Sequence, residues 1–277
     1  QKKEWFSCVG DGIQECRNTW EHKKWNITDF PEFELAITID RPELYYDFLQ
    51  KDWTRFCHDY WKNNFLEHHT LSQKRVTRIY IGNQFCHNLF PKKKLLFQVL
   101  EKALENNLAV TLAFTYIRDH LLEEIDELLQ ELEVWCQSRE KEAGKDQEEI
   151  IVNDWAMPLL LQGKPHLKPV LGVLLNKRRK DVRLPYKHGI GNHVDSLAEN
   201  NLNCGFYQNY LKNTLNIQRF EFESCGYKVT IPDGHHSLHL PFFQTNTSQY
   251  CTLYAVCRYG DREKQKLPEN CPKYCEQ

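Results

Sequence analysis

From Glu34 onward, short apolar runs alternate with longer stretches in which apolar residues recur every three or four positions. The first run, ELAITID (Glu34 to Asp40), has the length and β-branched content of a buried strand. Pro42 then opens a helix in which Leu44, Tyr45, Phe48, Leu49, Trp53, Phe56, Cys57, Tyr60 and Trp61 fall on one broad stripe. The plan repeats. Arg78 to Gly82 predicts a strand, and Lys92 to Asn106 a helix with Leu95, Leu96, Val99, Leu100, Ala103 and Leu104 on one face. Ala109 to Phe114 predicts the next strand, before a helix from about Asp119 to Gln137. Further strand-like runs cover 149–153, 169–175, 219–223, 227–231 and 238–243. Strands alternating with helices call for a parallel sheet, and roughly eight of them in about 250 residues is the size of a (β/α) barrel. The expected fold is therefore α/β, a TIM-like barrel, regular or irregular, over residues 34–277, with residues 1–33 as an N-terminal extension. An open doubly wound sheet is the alternative, but no glycine-rich dinucleotide fingerprint or P-loop follows any strand.

Composition changes this picture little. A chain of 277 residues can bury an ordinary core without disulfides. Its 11 cysteines are about 4% of the residues, below the ~8–10% of a disulfide scaffold, and their odd number leaves one thiol over. No apolar run is long enough to span a membrane, and QKKEWFSCVGDG lacks the apolar core of a secretion signal, so a cytoplasmic protein is expected. The sequons at Asn26 and Asn246 would suit a secreted one. A net charge of -2 speaks neither for nor against nucleic acid as a partner.

Several polar segments fall where a barrel places its chemistry. SREKEAGKDQEE (Ser138 to Glu149) reads as a solvated connection. NKRRKDVR (Asn176 to Arg183) has five basic residues in eight directly after a strand, where loops face the active side. It reads either as a solvated loop or as an anion-binding lid, with Lys177 and Arg178 as candidate substrate contacts. Asp154 and Arg118 also follow strands and are candidate pocket residues. In GHHSLH (Gly234 to His239) the flanking glycine and prolines favour an extended stretch over a metal-binding helix, leaving His236 as a candidate proton carrier. Arg219, Glu221 and Glu223 share one face of their strand, which inside a barrel demands partners, either as a structural ion-pair layer or for catalysis.

The cysteines carry the sharpest signal. Cys271 and Cys275 are three residues apart, with Cys251 and Cys257 upstream. Structural zinc favours two short C-x2-4-C pairs, and here one of the two is stretched to C-x5-C. Iron-sulfur clusters accept ligands from distant segments, one thiolate to each iron. Cys86 lies just beyond the C-terminal end of the second predicted strand, where a tail folding over the barrel could meet it. Lys92, Lys93, Lys94, Arg258 and Lys273 lie near these cysteines in sequence and offer charge compensation. Cys57 and Cys136 fall on apolar helical stripes, as small buried hydrophobes do.

At IYIGNQFC, EEIIVNDWAMPLL, TSQYCTLYAVC and the closing C-x3-C the chain resembles the collagenase-like peptidase family U-32, over roughly Glu34 to Cys275. It is most similar there to members that carry a 4Fe-4S cluster for anaerobic ubiquinone biosynthesis. What the resemblance implies is a 4Fe-4S cluster on Cys86, Cys251, Cys271 and Cys275, held in a tail (251–277) that closes over the barrel's C-terminal face. Cys257 is an alternate ligand, because its distance from Cys271 fits the family spacing about as well. The implied activity is oxygen-independent hydroxylation with a prephenate-type oxygen donor, on a small molecule or an RNA base, in several members with a related barrel subunit as partner. A non-catalytic cluster-bearing subunit and a peptidase or hydrolase are the alternatives. No nucleophile elbow is present to support the peptidase.

Overall fold

The structure, a computed structural model, describes residues 32–143, 148–180, 199–224, 229–241, 243–244, 248–268 and 270–276. Among them seven strands form one sheet: β1 (Leu35–Ile39), β2 (Val76–Gly82), β3 (Ala109–Ala113), β4 (Glu148–Val152), β5 (Leu167–Leu171), β6 (Arg219–Glu223) and β7 (Ser237–His239). Spatial order follows chain order, and every neighbouring pair is parallel. The crossovers therefore return on the same side, and the helices described between strands lie on the outer face, the arrangement the alternating pattern predicts.

The strands alternate between two surfaces. Ile37, Ile39, Ile79, Ile81, Val110, Leu112, Ile150, Val152, Leu171 and Phe222 point outward into the main core. There they meet Tyr45 and Phe48 of α1 (Pro42–Gln50), Phe56 of α2 (Trp53–Asn63), and Leu96, Val99, Leu100 and Ala103 of α3 (Lys93–Glu105). Leu129 and Leu132 of α4 (Leu122–Ala143), Met157 of α5 (Met157–Leu160) and Leu211 of α6 (Gly205–Leu215) complete that layer. The intervening residues face inward, with small or apolar ones such as Ala113, Ile151 and Val170 forming a second, smaller cluster.

The sheet is curled. In a flat sheet β2 and β6 would lie four strand spacings, about 19 Å, apart, beyond the combined reach of a Tyr and a Glu side chain. Yet the Tyr80 hydroxyl donates to Glu221 at 2.8 Å. The curl turns the inward face into a concave interior, but β7 and β1 do not pair among the described residues, so the barrel is half formed. Seven parallel strands in sequential order replace the eight expected. Of the expected 227–231 strand, residues 229–231 are not strand and the rest lies outside the described residues.

Other boundaries shift for local reasons. The single helix expected after Pro42 is two, because Asp52 stops one and caps the next by accepting from the Arg55 N–H at 2.9 Å. Much of the charged stretch after Ser138 is helical, since α4 continues to Ala143. The N-terminal extension, Cys8, Cys16 and Cys225, both sequons' asparagines, and residues 181–198 of the basic loop region lie outside the described residues.

Candidate functional site

β2 ends at Gly82, whose φ of +112° lies where L side chains are strained. A Cβ there would also come within 2.6 Å of the Ala113 carbonyl and 2.7 Å of the Phe90 ring. The chain thus turns sharply off the strand into Asn83–Cys86. Asn83 fixes that turn: its Oδ1 accepts from the backbone N–H groups of Phe85 and Cys86, each at 2.9 Å, and its Nδ2 donates to the Asp40 carbonyl at 3.1 Å. Cys86 is held at the C-terminal end of the sheet as a result.

The next strand supplies a strap for the C-terminal segment. After β3, the Tyr116 hydroxyl donates to the Ser248 carbonyl at 3.1 Å, and Arg118 Nη2 donates to the Gln249 carbonyl at 2.8 Å. These two bonds bring Cys251 to the first turn of α7 (Thr252–Tyr259), where its sulfur accepts from the Tyr254 N–H at 3.4 Å. Gly260, at φ +67°, ends the helix and turns the chain back. Pro268, Cys271, Lys273, Tyr274 and Cys275 then complete the wall.

The outcome is a cavity of about 300 Å³ over the ends of β2 and β3, lined by Cys86, Cys251, Cys271 and Cys275 together. That volume is at the small end of the ~300–1,000 Å³ range of ligand pockets. The remaining wall is largely aromatic or apolar, with Phe85, Leu89, Tyr116, Tyr250, Leu253, Tyr254 and Tyr274. Among the described residues no Asp, Glu or His lines it, and the charged groups are Arg118 and Lys273. Cys257, six residues along α7 from Cys251, is exposed and outside the wall. All eight described cysteines are free thiols.

Burial pushes the Cys86 thiol up, nearby N–H groups oppose this, and the Cys271 and Cys251 thiols add to the rise. Burial likewise raises the Cys275 thiol, a backbone N–H opposes this, and Cys86, the Glu276 carboxylate and Cys271 add to the rise. The Cys86 sulfur therefore lies within electrostatic range of those of Cys251, Cys271 and Cys275. Beside them, burial and the neighbouring Arg118 and His120 push His87 down to about 4, so it stays neutral near pH 7.

As a donor set the cavity offers soft sulfur only. Four thiolates around one zinc, each at about 2.3 Å, would bring the sulfurs to within about 3.8 Å of each other. Among the described residues no group of three or more His, Cys, Asp or Glu side chains is gathered closely enough to hold a metal ion. The thiols edge a cavity, and a cluster whose irons each take one thiolate would need them spread in that way.

The other expected residues fare differently. Asp154 is not a free pocket acid: one carboxylate oxygen takes the Ile117 N–H, and the other the N–H groups of Ala156 (2.9 Å) and Met157 (3.0 Å). It braces the loops after β3 and β4, and so positions Arg118. His236 stacks on Phe220 with ring centroids 4.8 Å apart, and its Nδ1 accepts from the Phe220 N–H, which ties it to the flank of β6. Lys177 is exposed, its N–H bonded to Asn201, and Arg178 donates to the Glu223 carbonyl at the end of β6. Neither reaches the cysteine cavity.

Deeper in the concave interior lies a polar layer that sequence reading found only in part. Glu149 accepts from Arg78 Nη1 (2.9 Å), Thr111 Oγ1 (2.8 Å) and Arg219 Nη1. Arg219 also donates to Tyr80 (3.0 Å) and Ser237, while Glu221 pairs with Tyr80 and His239. Glu223 pairs with Lys180. The pairing expected for Arg219, Glu221 and Glu223 is present, and His239, not His236, is the histidine that turns inward. Arg78, Tyr80 and Glu149 were missed: Arg78 and Tyr80 alternate along β2 with the period of two seen in β6, but β4 gives no such signal, since Ile151 follows Glu149 on the inward face.

Fold and site together define a parallel α/β half-barrel with a cavity of four cysteines at the C-terminal ends of its strands. No family model matches the chain, and neither a curated protein nor a solved structure does. Among the described residues no helix is long and apolar enough to cross a membrane.

Proposed function

We propose that this is an iron-sulfur protein that binds a 4Fe-4S cluster through Cys86, Cys251, Cys271 and Cys275. The observation that carries the reading is the meeting of these four residues, from three separate segments, in one cavity. Cys86 lies 165 residues before Cys251, so short-range sequence proximity does not account for it. The all-sulfur donor set and the origin of its members in distant segments support a cluster over zinc. Free thiols in every described cysteine fit a reducing compartment such as the cytoplasm.

When bound, the cluster would supply one-electron chemistry close to a small substrate. The chain's own residues hold and shield it. Asn83 and Asp154 brace the loops that carry Cys86 and Arg118, and the bonds from Tyr116 and Arg118 strap down the segment before Cys251. For the reaction itself, oxygen-independent hydroxylation with an organic, prephenate-type oxygen donor is the reading the U-32 resemblance supports. A related barrel subunit is the partner it implies. With Asp154 and His236 both committed to backbone N–H groups, acid-base work by these two is not part of the proposal.

Anaerobic purification and reconstitution test the cluster. The expected product is brown, absorbs at roughly 400 nm and holds about four iron and four sulfide per chain. Cys86→Ser should lose the cluster and Cys257→Ser should keep it. A colourless protein holding one zinc, or full loading of Cys86→Ser, would overturn the proposal. Hydroxylation by the purified chain alone would exclude the alternative of a purely supporting subunit.

A further inference from the structure

Arg118 is only 7% exposed, yet its guanidinium is incompletely used. Nη2 donates to the Gln249 carbonyl, while Nε and Nη1 are buried without a hydrogen-bond partner. The group lines the cysteine cavity, and among the described residues no carboxylate stands in that wall. Arginine keeps its proton at any ordinary pH, so this is a buried, permanent positive charge beside four thiols. A buried charge without a counterion is costly and needs a compensating partner. Deprotonated thiols are the anionic groups the wall itself can provide.

We infer that Arg118 is the countercharge of the bound cluster, directing its unused N–H groups at the sulfurs and raising the reduction potential. The inference rests on the cluster reading above. One-electron reduction adds a negative charge, which a fixed cation favours over the oxidised state. Lys273 also lines the cavity, but it is only half-buried, and water screens it more. The role is one of electrostatic positioning and does not require Arg118 to touch substrate.

The test compares reconstituted wild-type protein with Arg118→Gln, Arg118→Lys and Tyr116→Phe. Iron and sulfide are counted in each, and the potential is read by EPR-monitored redox titration. Arg118→Gln should shift the reduced-to-oxidised ratio at a given potential at least tenfold toward oxidised, a fall of about 59 mV for one electron. Arg118→Lys keeps the charge and should stay within that tenfold margin. Tyr116→Phe removes the neighbouring bond to Ser248 with the charge intact, so it should also stay close to wild type. A fully loaded Arg118→Gln at the wild-type potential overturns the inference alone. So does a Tyr116→Phe shift as large, because loosening of the strap would then explain both. If Arg118→Gln does not load, a tenfold or greater fall in Arg118→Lys overturns it. Wild-type protein that takes up no iron overturns this inference and the cluster reading together.

Discussion

Glu149→Gln isolates what holds the concave interior together. The wild-type carboxylate is 7% exposed and accepts from two arginines and a threonine. The amide keeps the shape but removes the charge and one acceptor. Arg78 retains Glu34 at 3.0 Å, whereas Arg219 loses its directly paired carboxylate and keeps only the hydroxyls of Tyr80 and Ser237. Breaking a buried ion pair from one side costs about 3–5 kcal/mol. At ~2–4 °C per kcal/mol for a domain of this order, the melting temperature should fall by roughly 6–20 °C. Urea denaturation of the apoprotein, followed by circular dichroism, measures the loss. Arg219→Met should cost a similar amount, and the double variant much less than the sum, with a coupling of at least ~1 kcal/mol. A Glu149→Gln loss below about 1 kcal/mol, or strict additivity, would refute the claim that these residues form one buried network.

Two further predictions concern the same frame. Gly82→Ala places a Cβ against the Ala113 carbonyl and the Phe90 ring at a positive φ, so it should destabilise by about 2–4 kcal/mol and impair iron uptake at Cys86; a denaturation midpoint equal to wild type would count against the tight turn. In the folded chain burial disfavours the His239 imidazolium, but Glu221 outweighs this and raises its pKa. Its stabilising contribution should be complete below the unfolded value of about 6.5 and fade as pH rises through the folded one. Glu221 is shifted down: burial opposes ionisation, and His239 and Arg219 override it, so its share is lost at the acid end. Urea midpoints from pH 5 to about 9 should therefore fall less steeply on the alkaline side in His239→Gln than in wild type; identical slopes would refute the pairing.

The alternation of apolar runs made the parallel sheet legible, because strands buried on both faces and amphipathic helices have distinct periods. Curl and incomplete closure were not legible, since they depend on long-range contacts such as Tyr80 with Glu221. Position alone offered Cys86 after a strand end and four late cysteines; the choice of Cys86, Cys251, Cys271 and Cys275 among them came from the family resemblance. Spacing did not separate Cys251 from Cys257; the cap position of Cys251 on α7 and the outward place of Cys257 do. Asp154 misled because a carboxylate after a strand looks the same in sequence whether it faces a pocket or binds backbone N–H groups. His236 misled for a related reason: a strand beginning at Ser237 sends His239 inward and leaves His236 on the flank.

The distance along the chain between Cys86 and Cys275 also sets a timetable. Translation proceeds at about 5–20 residues per second, so roughly 10–40 s separate the making of the first wall from that of the last. Throughout that interval the Gly82 turn and Asn83 can already present Cys86, while its partners are still unmade. A finished cavity is thus a late event in the life of each molecule, and Cys86 must pass through a period as an unguarded thiol before residues 251–275 arrive to enclose it.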